Sequence, residues 1–402
     1  MSATATGRPP WHGVFHDPVL RPWLEVLLDA LEGTELFDAH AHTGCNDPDG
    51  FKLSAEELIA GVKRAGARAM VTPMHEPDGY PPHNDRVIAE AAASDGLLVP
   101  FCRLDPNSDP VAEARRCLDA GAKGIKLHPR AEGFSMGDPA VAEIVTLAHE
   151  RSLPVLIHAG RGIPALGAHT VELAQRFPQA RMILAHAGIC DLAWIWRPAL
   201  DTPNLFFDTA WWSPSDQLAL FAQVPPGQIL LGTDPPYGTT TLGAIMALRS
   251  ALAVGLSPEQ IAVIAGGQFV RLIAGEQPLD LGPPPGVAGL AVWDIALDRV
   301  YTFLITALGR MMLAMDGSEP LALARLACAV GDDAPQAHVC ASINRLLDLR
   351  EQLLAQAGAA DPRLGLGLVV IAANIARTPS APLPELAGEH ATAGPQRPPA
   401  SD

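Results

Sequence analysis

Residues 154–188 read PVLIHAGRGIPALGAHTVELAQRFPQARMILAHAG, and this stretch decides the fold class. A short apolar run rich in β-branched residues is followed by a helical pattern over 171–177 and then by a second run of the first kind. Strands that alternate with helices of this length pair in parallel through right-handed crossovers. The stretch therefore predicts one β-α-β unit, whose two strands lead into His158 and His186.

The same pattern continues in both directions along the chain. The other β-rich runs are ELFDAHAH (35–42), ARAMVTPM (67–74), LLVPFCRL (97–104), AKGIKLH (122–128), NLFFDTA (204–210) and QILLGTD (228–234). Eight strand–helix units in roughly 240 residues predict an α/β fold, a (β/α)8 TIM-like barrel. A doubly wound open sheet is the alternative, but it would not need eight units, and no glycine-rich phosphate loop follows any of these strands.

The composition divides the rest of the chain around a barrel predicted over 35–276. Residues 1–34 are predicted to form an N-terminal extension with a helix. Residues 277–289 are rich in Pro and Gly and predict a linker. Apolar spacing of three and four residues predicts an additional C-terminal α-helical domain over 290–376, and the Pro-, Ala- and Gly-rich residues 377–402 predict a disordered tail.

Charge and composition exclude several classes of function. The formal net charge is −16 and no Lys/Arg stripe offsets it, so we expect no nucleic-acid partner. The six cysteines show no framework spacing, and the N-terminus does not resemble a signal peptide. The apolar run at 364–376 is too short to span a bilayer. We therefore expect a cytoplasmic protein with a small-molecule substrate and no membrane partner; a homo-oligomer is compatible with the sequence.

Histidines and one aspartate stand where the predicted strands end, at the face where barrel active sites are built. In the first strand, His40 and His42 share one side because side chains alternate with period two, and Asp38 is expected one layer deeper. His158, His186 and Asp234 end later strands.

Each of these signals is weak alone, since a single buried histidine usually serves packing and a lone Asp234 could cap the next helix. Five such groups at strand ends of matching parity together predict a site for Zn²⁺ or a similar divalent ion. Such an ion would generate a water nucleophile at neutral pH.

FDAHAH, GIKLHP, PVLIHAGRG, MILAHAG and LLGTDPPYG together resemble the amidohydrolase superfamily. The resemblance is to the amidohydrolase-2 branch, which includes aminocarboxymuconate-semialdehyde decarboxylase, and it covers about residues 35–275. It implies that His40, His42, His158 and Asp234 bind the metal. It also implies that Asp234 acts as general base, and that His186 transfers protons or binds a second ion. The stretch AGGQFVRLIAG (265–275) departs from the family's Gly-Asn-Ala turn, and Gln268 is expected to substitute there.

Two interpretations of Lys126 stay open. In two-metal members of the superfamily a lysine at this strand is carboxylated and bridges the ions, which would make two ions here instead of one. Otherwise Lys126 is a buried structural lysine or anchors an anionic substrate. The candidates for substrate binding are His128, Arg103, Arg161, Asp208 and Trp211, with Arg130 and Trp212 nearby. The arginines could bind a carboxylate through two hydrogen bonds or form ordinary ion pairs.

Three functions compete. The leading hypothesis is a hydrolase that uses metal-activated water to cleave an amide, ester or lactone bond of a small molecule. The second is non-oxidative decarboxylation of a small carboxylated substrate with the same ligands. The third is a non-catalytic barrel scaffold whose helical region binds a partner.

Overall fold

The barrel strands are short and parallel, and they follow one another in chain order. The computed structural model describes residue 15 and residues 17–290, 294–357 and 361–385. The strands are β1 (Leu36–Asp38), β2 (His42–Thr43), β3 (Ala67–Pro73), β4 (Leu98–Pro100), β5 (Cys102–Arg103), β6 (Ile125–Leu127), β7 (Pro154–Ile157), β8 (Arg181–Leu184), β9 (Leu205–Asp208) and β10 (Ile229–Leu230). Two of the barrel strands are interrupted, the first into β1 and β2 and the third into β4 and β5, so the ten segments make the eight predicted strands.

Backbone hydrogen bonds close this sheet into a barrel. β1, β2 and β4 pair with β3, and β5 to β10 pair in sequence, all in parallel. The segment after β10 then joins the first strand, since Ala39 N donates to Leu231 O at 2.7 Å and Asp234 N donates to His40 O at 2.7 Å. The (β/α)8 barrel predicted from the strand–helix alternation is therefore confirmed.

Helices connect the strands and cover the outside of the barrel. Those preceding the C-terminal region are α1 (Arg21–Ala30), α2 (Ala55–Ala65), α3 (Pro81–Ala92), α4 (Pro110–Asp119), α5 (Pro129–Glu132), α6 (Pro139–Arg151), α7 (Leu166–Arg176), α8 (Leu192–Ala199), α9 (Pro214–Gln223), α10 (Thr240–Ala253), α11 (Pro258–Ala262) and α12 (Gln268–Ile273). Local sequence explains their bounds: Ser54 and Glu57 form a capping box at the start of α2, and Gly66 ends it at φ 68°.

Two apolar clusters lie on opposite sides of the strands. The larger one fills the space between strands and helices and continues into the C-terminal region. The smaller one fills the barrel interior, where Phe37 meets the ring of Phe269 edge-on at a centroid distance of 5.0 Å. Gln268, at the start of the same helix, is fully buried and exchanges hydrogen bonds with the backbone of Leu279. Phe269 and its neighbours thus close one end of the barrel and leave the other for polar groups.

The alternation of side chains slips by one residue in the interrupted first strand. Phe37 and Ala39 belong to the interior cluster, and Ala41 belongs to the outer one. Asp38 was expected one layer deeper in the barrel mouth, but its carboxylate instead accepts hydrogen bonds from Thr233 N at 2.9 Å and Thr240 Oγ1 at 3.3 Å. The prediction for Asp38 is corrected because the strand does not stay regular between Asp38 and His42.

The C-terminal region is helical and packs directly on the barrel. Its helices are α13 (Ile295–Met312), α14 (Ser318–Ala327), α15 (Ala337–Ala357) and α16 (Leu366–Arg377). Helix α16 is buried from Leu366 to Ala376 and contacts α9 and α10 as well as α13 and α15. Within the described ranges every helix is too short or too polar to span a bilayer.

The predicted disordered tail begins too early. Thr378 is fully buried, and Arg249 of α10 donates to its carbonyl at 2.7 Å and to Pro382 O at 2.7 Å. Thr378 and Pro382 are therefore packed against the barrel helix, because they supply the acceptors of a buried guanidinium. The rest of the predicted tail, 386–402, lies outside the described residues.

Candidate metal centre

Three acceptor atoms meet at the open end of the barrel. His40 Nε2 and His42 Nε2 lie 3.1 Å apart, and Asp234 Oδ1 lies 3.3 Å from the first and 3.2 Å from the second. Ligands bound to one Zn²⁺ at about 2.0–2.2 Å in tetrahedral geometry lie roughly 3.3–3.6 Å apart. The three predicted ligands thus form a triangle of nearly the size that a single ion requires.

The opposite ring nitrogens of the two histidines determine which atoms face the triangle. His40 Nδ1 lies 2.8 Å from Asp208 Oδ2, and His42 Nδ1 lies 3.4 Å from Pro73 O. A carboxylate or carbonyl only accepts, so each Nδ1 carries the proton and each Nε2 presents a lone pair. Such support of a ligating imidazole is typical of metal sites.

Burial keeps these imidazoles in the neutral form that binds metals. Loss of hydration holds the pKa of His40 well below its usual range and lowers the pKa of His42. Burial likewise raises the pKa of Asp208 to about 6. The Nε2 lone pairs of His40 and His42 therefore face each other and the side chain of Asp234.

The fit to a cation is supported by an unsatisfied atom. Asp234 Oδ1 is buried and receives no hydrogen bond from the described residues. A buried carboxylate oxygen without a donor is costly unless a positive charge neutralises it. Lys126 Nζ lies 3.0 Å from His40 Nε2 and donates no hydrogen bond to Asp234 Oδ1. The residues present therefore fit a divalent cation bound by nitrogen and oxygen.

His186 lies closer to this cluster than its predicted role required. Ligand atoms of His40, His186 and Asp234 all lie within 4.8 Å of one another. His186 Nδ1 is 2.9 Å from Ala210 O, and its Nε2 is 3.0 Å from His158 Nδ1. The predicted ligand His158 thus joins the cluster through His186.

Two site residues adopt left-handed backbone conformations. His186 and Asp234 both have φ of 57°, in a region that residues other than glycine seldom adopt. Strain of this kind persists where the surrounding structure over-determines the backbone, and it is concentrated at functional sites. The backbone of Asp234 is held by its hydrogen bond to His40 O and that of His186 by a 2.8 Å hydrogen bond to Asp208 Oδ1.

Lys126 is completely buried beside the triangle. Burial lowers the pKa of its ammonium to about 8, although the nearby carboxylates of Asp234 and Asp208 oppose the shift. Its side chain does not line the cavity described below, so the geometry favours a role within the cluster over contact with a substrate.

A cavity of about 360 Å³ opens beside the cluster. His158, His186 and Asp234 line it, together with the substrate-binding candidates Arg161 and Trp211. The cavity therefore places the candidate proton-transfer residues beside both apolar and basic side chains.

The other three substrate-binding candidates have structural partners instead. Arg103 is buried and pairs with Glu132 at 2.7 Å. Asp208 is fully buried and orients His40. His128 stacks on His158 at a centroid distance of 3.8 Å and caps α5 through Ala131 N. Polar residues near strand ends can face either the cavity or a neighbouring loop, which the sequence does not distinguish.

The cavity also has walls that the sequence analysis did not assign. Tyr237 belongs to the quoted LLGTDPPYG motif, so its position could have been recognised. Met312, Leu366 and Val370 come from the C-terminal helices. No local pattern distinguishes these three from ordinary core residues.

Comparisons with solved structures concern the fold. A 2,6-dihydroxybenzoate decarboxylase in complex with 2,6-dihydroxybenzoate superposes with a TM-score of 0.50 at 14% identity, covering 60% of this chain and 99% of that chain. The 4-oxalomesaconate hydratase from Rhodopseudomonas palustris gives 0.45 at 17%, covering 60% and 96%. A probable 2-pyrone-4,6-dicarboxylic acid hydrolase from Acinetobacter baumannii gives 0.47 at 13%, covering 60% and 99%.

The family assignment comes from the sequence of the barrel. A search of curated proteins found no match. The family model described as Amidohydrolase matches residues 37–267, which is more than half of the chain and contains every residue of the candidate metal centre. This favours an enzyme over the non-catalytic scaffold. The chain therefore belongs to the amidohydrolase family of metal-dependent enzymes.

Proposed function

We propose that this enzyme is a hydrolase that cleaves an amide, ester or lactone bond of a small molecule. The observation that carries the proposal is the triangle of His40 Nε2, His42 Nε2 and the unpaired Asp234 Oδ1, next to a cavity of substrate size. A divalent ion held there supplies Lewis acidity and lowers the pKa of water towards neutrality.

The ligands in this proposal are His40, His42 and Asp234, completed by His158 as the resemblance implies. The ion we propose is Zn²⁺, because neutral imidazoles and a carboxylate suit its ligand preference. One ion per chain is the simpler form. A second ion would require carboxylated Lys126 and would use His186, which the short distance between Lys126 Nζ and His40 Nε2 allows.

Two residues handle protons in this proposal. Asp234 lines the cavity and also belongs to the triangle, so it can accept a proton at the boundary between ion and substrate. His186 lines the same cavity, and its Nδ1 lies 3.9 Å from Asp234 Oδ2. General acid–base groups must reach the substrate within hydrogen-bonding distance, and the position of both residues in the cavity lining supports this role.

Decarboxylation is the second candidate, and two of the three arginines that line the cavity favour it. Arg130 and Arg161 are exposed and line the cavity, and neither forms an ion pair within the described part of the chain. Guanidinium groups without partners attract carboxylates. A carboxylated substrate is required for decarboxylation and is compatible with hydrolysis, so the reaction itself must be measured.

The first experiment is elemental analysis of the purified protein and its variants. We expect about one Zn²⁺ per chain, lost in the His40→Ala/His42→Ala variant and retained in Lys126→Ala. His338→Ala is the control, since His338 is exposed and lies in α15 outside the barrel. Two ions that fall on removal of Lys126 would indicate the bridged site. No metal, and no uptake on reconstitution, would refute the proposed chemistry.

A second experiment separates the two reactions. Amides, lactones and carboxylated aromatic compounds are incubated with the metal-loaded enzyme in ¹⁸O-labelled water. Hydrolysis places the label in the product, whereas decarboxylation releases CO₂ from the substrate and leaves an organic product without label. CO₂ release without label incorporation would replace the hydrolase proposal by the second candidate.

A further inference from the structure

The substrate cavity extends beyond the part of the chain that matches the family. The family match ends at residue 267, yet Met312 of α13 and Leu366 and Val370 of α16 line the same cavity as His158 and His186. Leu366 is 7% exposed and forms part of the cavity surface, whereas Val370, one turn further along α16, is fully buried within the wall. The C-terminal region therefore contributes surface to the site itself.

This wall is firmly attached to the barrel. Helix α16 is buried along its length and contacts α9 and α10 of the barrel as well as α13 and α15. The buried Arg249 of α10 joins the barrel to Thr378 and Pro382, and Trp23 Nε1 of α1 donates to Ser342 Oγ of α15 at 2.9 Å. Repeated buried contacts of this kind hold α16 in one position, so its side chains limit the shape of any bound molecule.

The loops of the barrel add charged groups to this cavity. Arg130 and Arg161 bring positive charge to the cavity, and Arg363 of the C-terminal region lines it while paired with Asp361. Leu366 and Trp211 bring apolar surface. A dry apolar cavity of about 150 Å³ is enough for benzene. The present cavity, about 360 Å³, thus has room for one substituted ring with a charged group.

We infer that Leu366 and Val370 of the C-terminal region are specificity-determining residues, which select a substrate with a single apolar ring and a carboxylate. The inference rests on the proposed function, because it concerns the substrate of the same site. The ring packs against α16, and the carboxylate faces Arg130 and Arg161. The C-terminal helices thereby set the size limit of the substrate, while the barrel supplies the chemistry.

Ligand binding tests this inference without knowledge of the reaction. Trp211 and Trp212 line the cavity and report occupancy through their fluorescence. The probes are benzoate, 1-naphthoate, acetate and benzylamine, added to the metal-loaded protein. We expect benzoate to bind at least about tenfold more tightly than acetate or benzylamine, since one probe lacks the ring and the other has the wrong charge. Equal affinities for all four probes would overturn the inference.

A matched pair of variants tests the wall itself. Val369 and Val370 are adjacent valines with no exposed surface, but only Val370 lines the cavity. Val370→Ala is expected to improve 1-naphthoate binding relative to benzoate by about tenfold, whereas Val369→Ala leaves that ratio unchanged. Val370→Ile, which removes no packing, is expected to shift the ratio the other way. Equal ratios in all three variants would exclude contact between α16 and the ligand.

Metal content is measured on the same samples, so the hydrolase proposal and the specificity inference can be refuted independently. Normal zinc content without probe selectivity would refute the specificity inference and leave the hydrolase proposal standing. Selective probe binding by a protein that takes up no metal would support the wall and refute the proposed function.

Discussion

Replacing Asp208 with asparagine is expected to weaken metal binding without removing any proposed ligand. Asp208 Oδ2 lies 2.8 Å from His40 Nδ1, and its Oδ1 accepts from His186 N at 2.8 Å and Ala210 N at 2.9 Å. The two backbone donors hold the remaining amide oxygen of Asn in the Oδ1 position. The amide NH₂ must then face His40, so His40 can accept there only by moving its own proton to Nε2, into the triangle.

The size of the effect follows from that change of tautomer. Loss of a hydrogen-bonded partner behind a ligating histidine typically costs about 10–100-fold in metal affinity. This corresponds to about 1.4–2.8 kcal/mol. Zinc affinity is measured by competition with a chromophoric chelator, and kcat/KM on the best substrate is expected to fall in parallel.

The Asp38→Asn variant is the matched control. Asp38 is equally buried and also accepts backbone hydrogen bonds, from His40 N at 3.1 Å and Thr233 N at 2.9 Å, but it forms no hydrogen bond with an imidazole nitrogen. Both variants are expected to lose stability, and only Asp208→Asn to lose metal affinity. Zinc affinity within about threefold of wild type in Asp208→Asn, far below the expected loss, would refute the argument from the His40 tautomer.

Three further predictions concern catalysis, stability and the ion. His186→Asn is expected to lower kcat by about 10²–10⁴-fold while zinc content stays near that of wild type; loss of zinc would instead make His186 a ligand. Arg249→Met leaves the carbonyls of Thr378 and Pro382 without donors and is expected to lower the free energy of unfolding by about 2–5 kcal/mol, measured by urea denaturation; an unchanged value would show that this contact does not hold the C-terminal region. Chelation of the metal is expected to abolish activity and lower Tm reversibly, since zinc at about 1,000 times its Kd stabilises the fold by about 4 kcal/mol; an unchanged Tm would contradict a metal centre.

The site residues at the carboxyl ends of the strands could be predicted from the sequence. Parallel strands bring their carboxyl ends to one face, so His158, His186 and Asp234 could be grouped from local pattern alone. The slip in the first strand could not be predicted, because alternation by two assumes a regular strand. It places Asp38 against Thr233 and Thr240 while His40 and His42 remain inside.

The interaction partners of side chains that are distant in sequence could not be predicted. Arg103 and Arg161 look alike in sequence, yet Glu132 neutralises Arg103 in a buried pair and Arg161 remains at the cavity. The difference depends on which loop lies against each guanidinium, and no local signal encodes that contact.

By itself, the sequence determined the (β/α)8 barrel, the amidohydrolase resemblance and the residue types at the metal cluster. The barrel and the residue types at the strand ends follow from periodicity and spacing, which act over a few residues at a time. The family follows from the resemblance of the quoted motifs. Only the tertiary structure decided that Asp208 orients His40, that Asp234 Oδ1 lacks a donor, and that α16 forms a wall of the cavity. Such contacts join residues far apart in the chain, and packing in three dimensions alone brings them together.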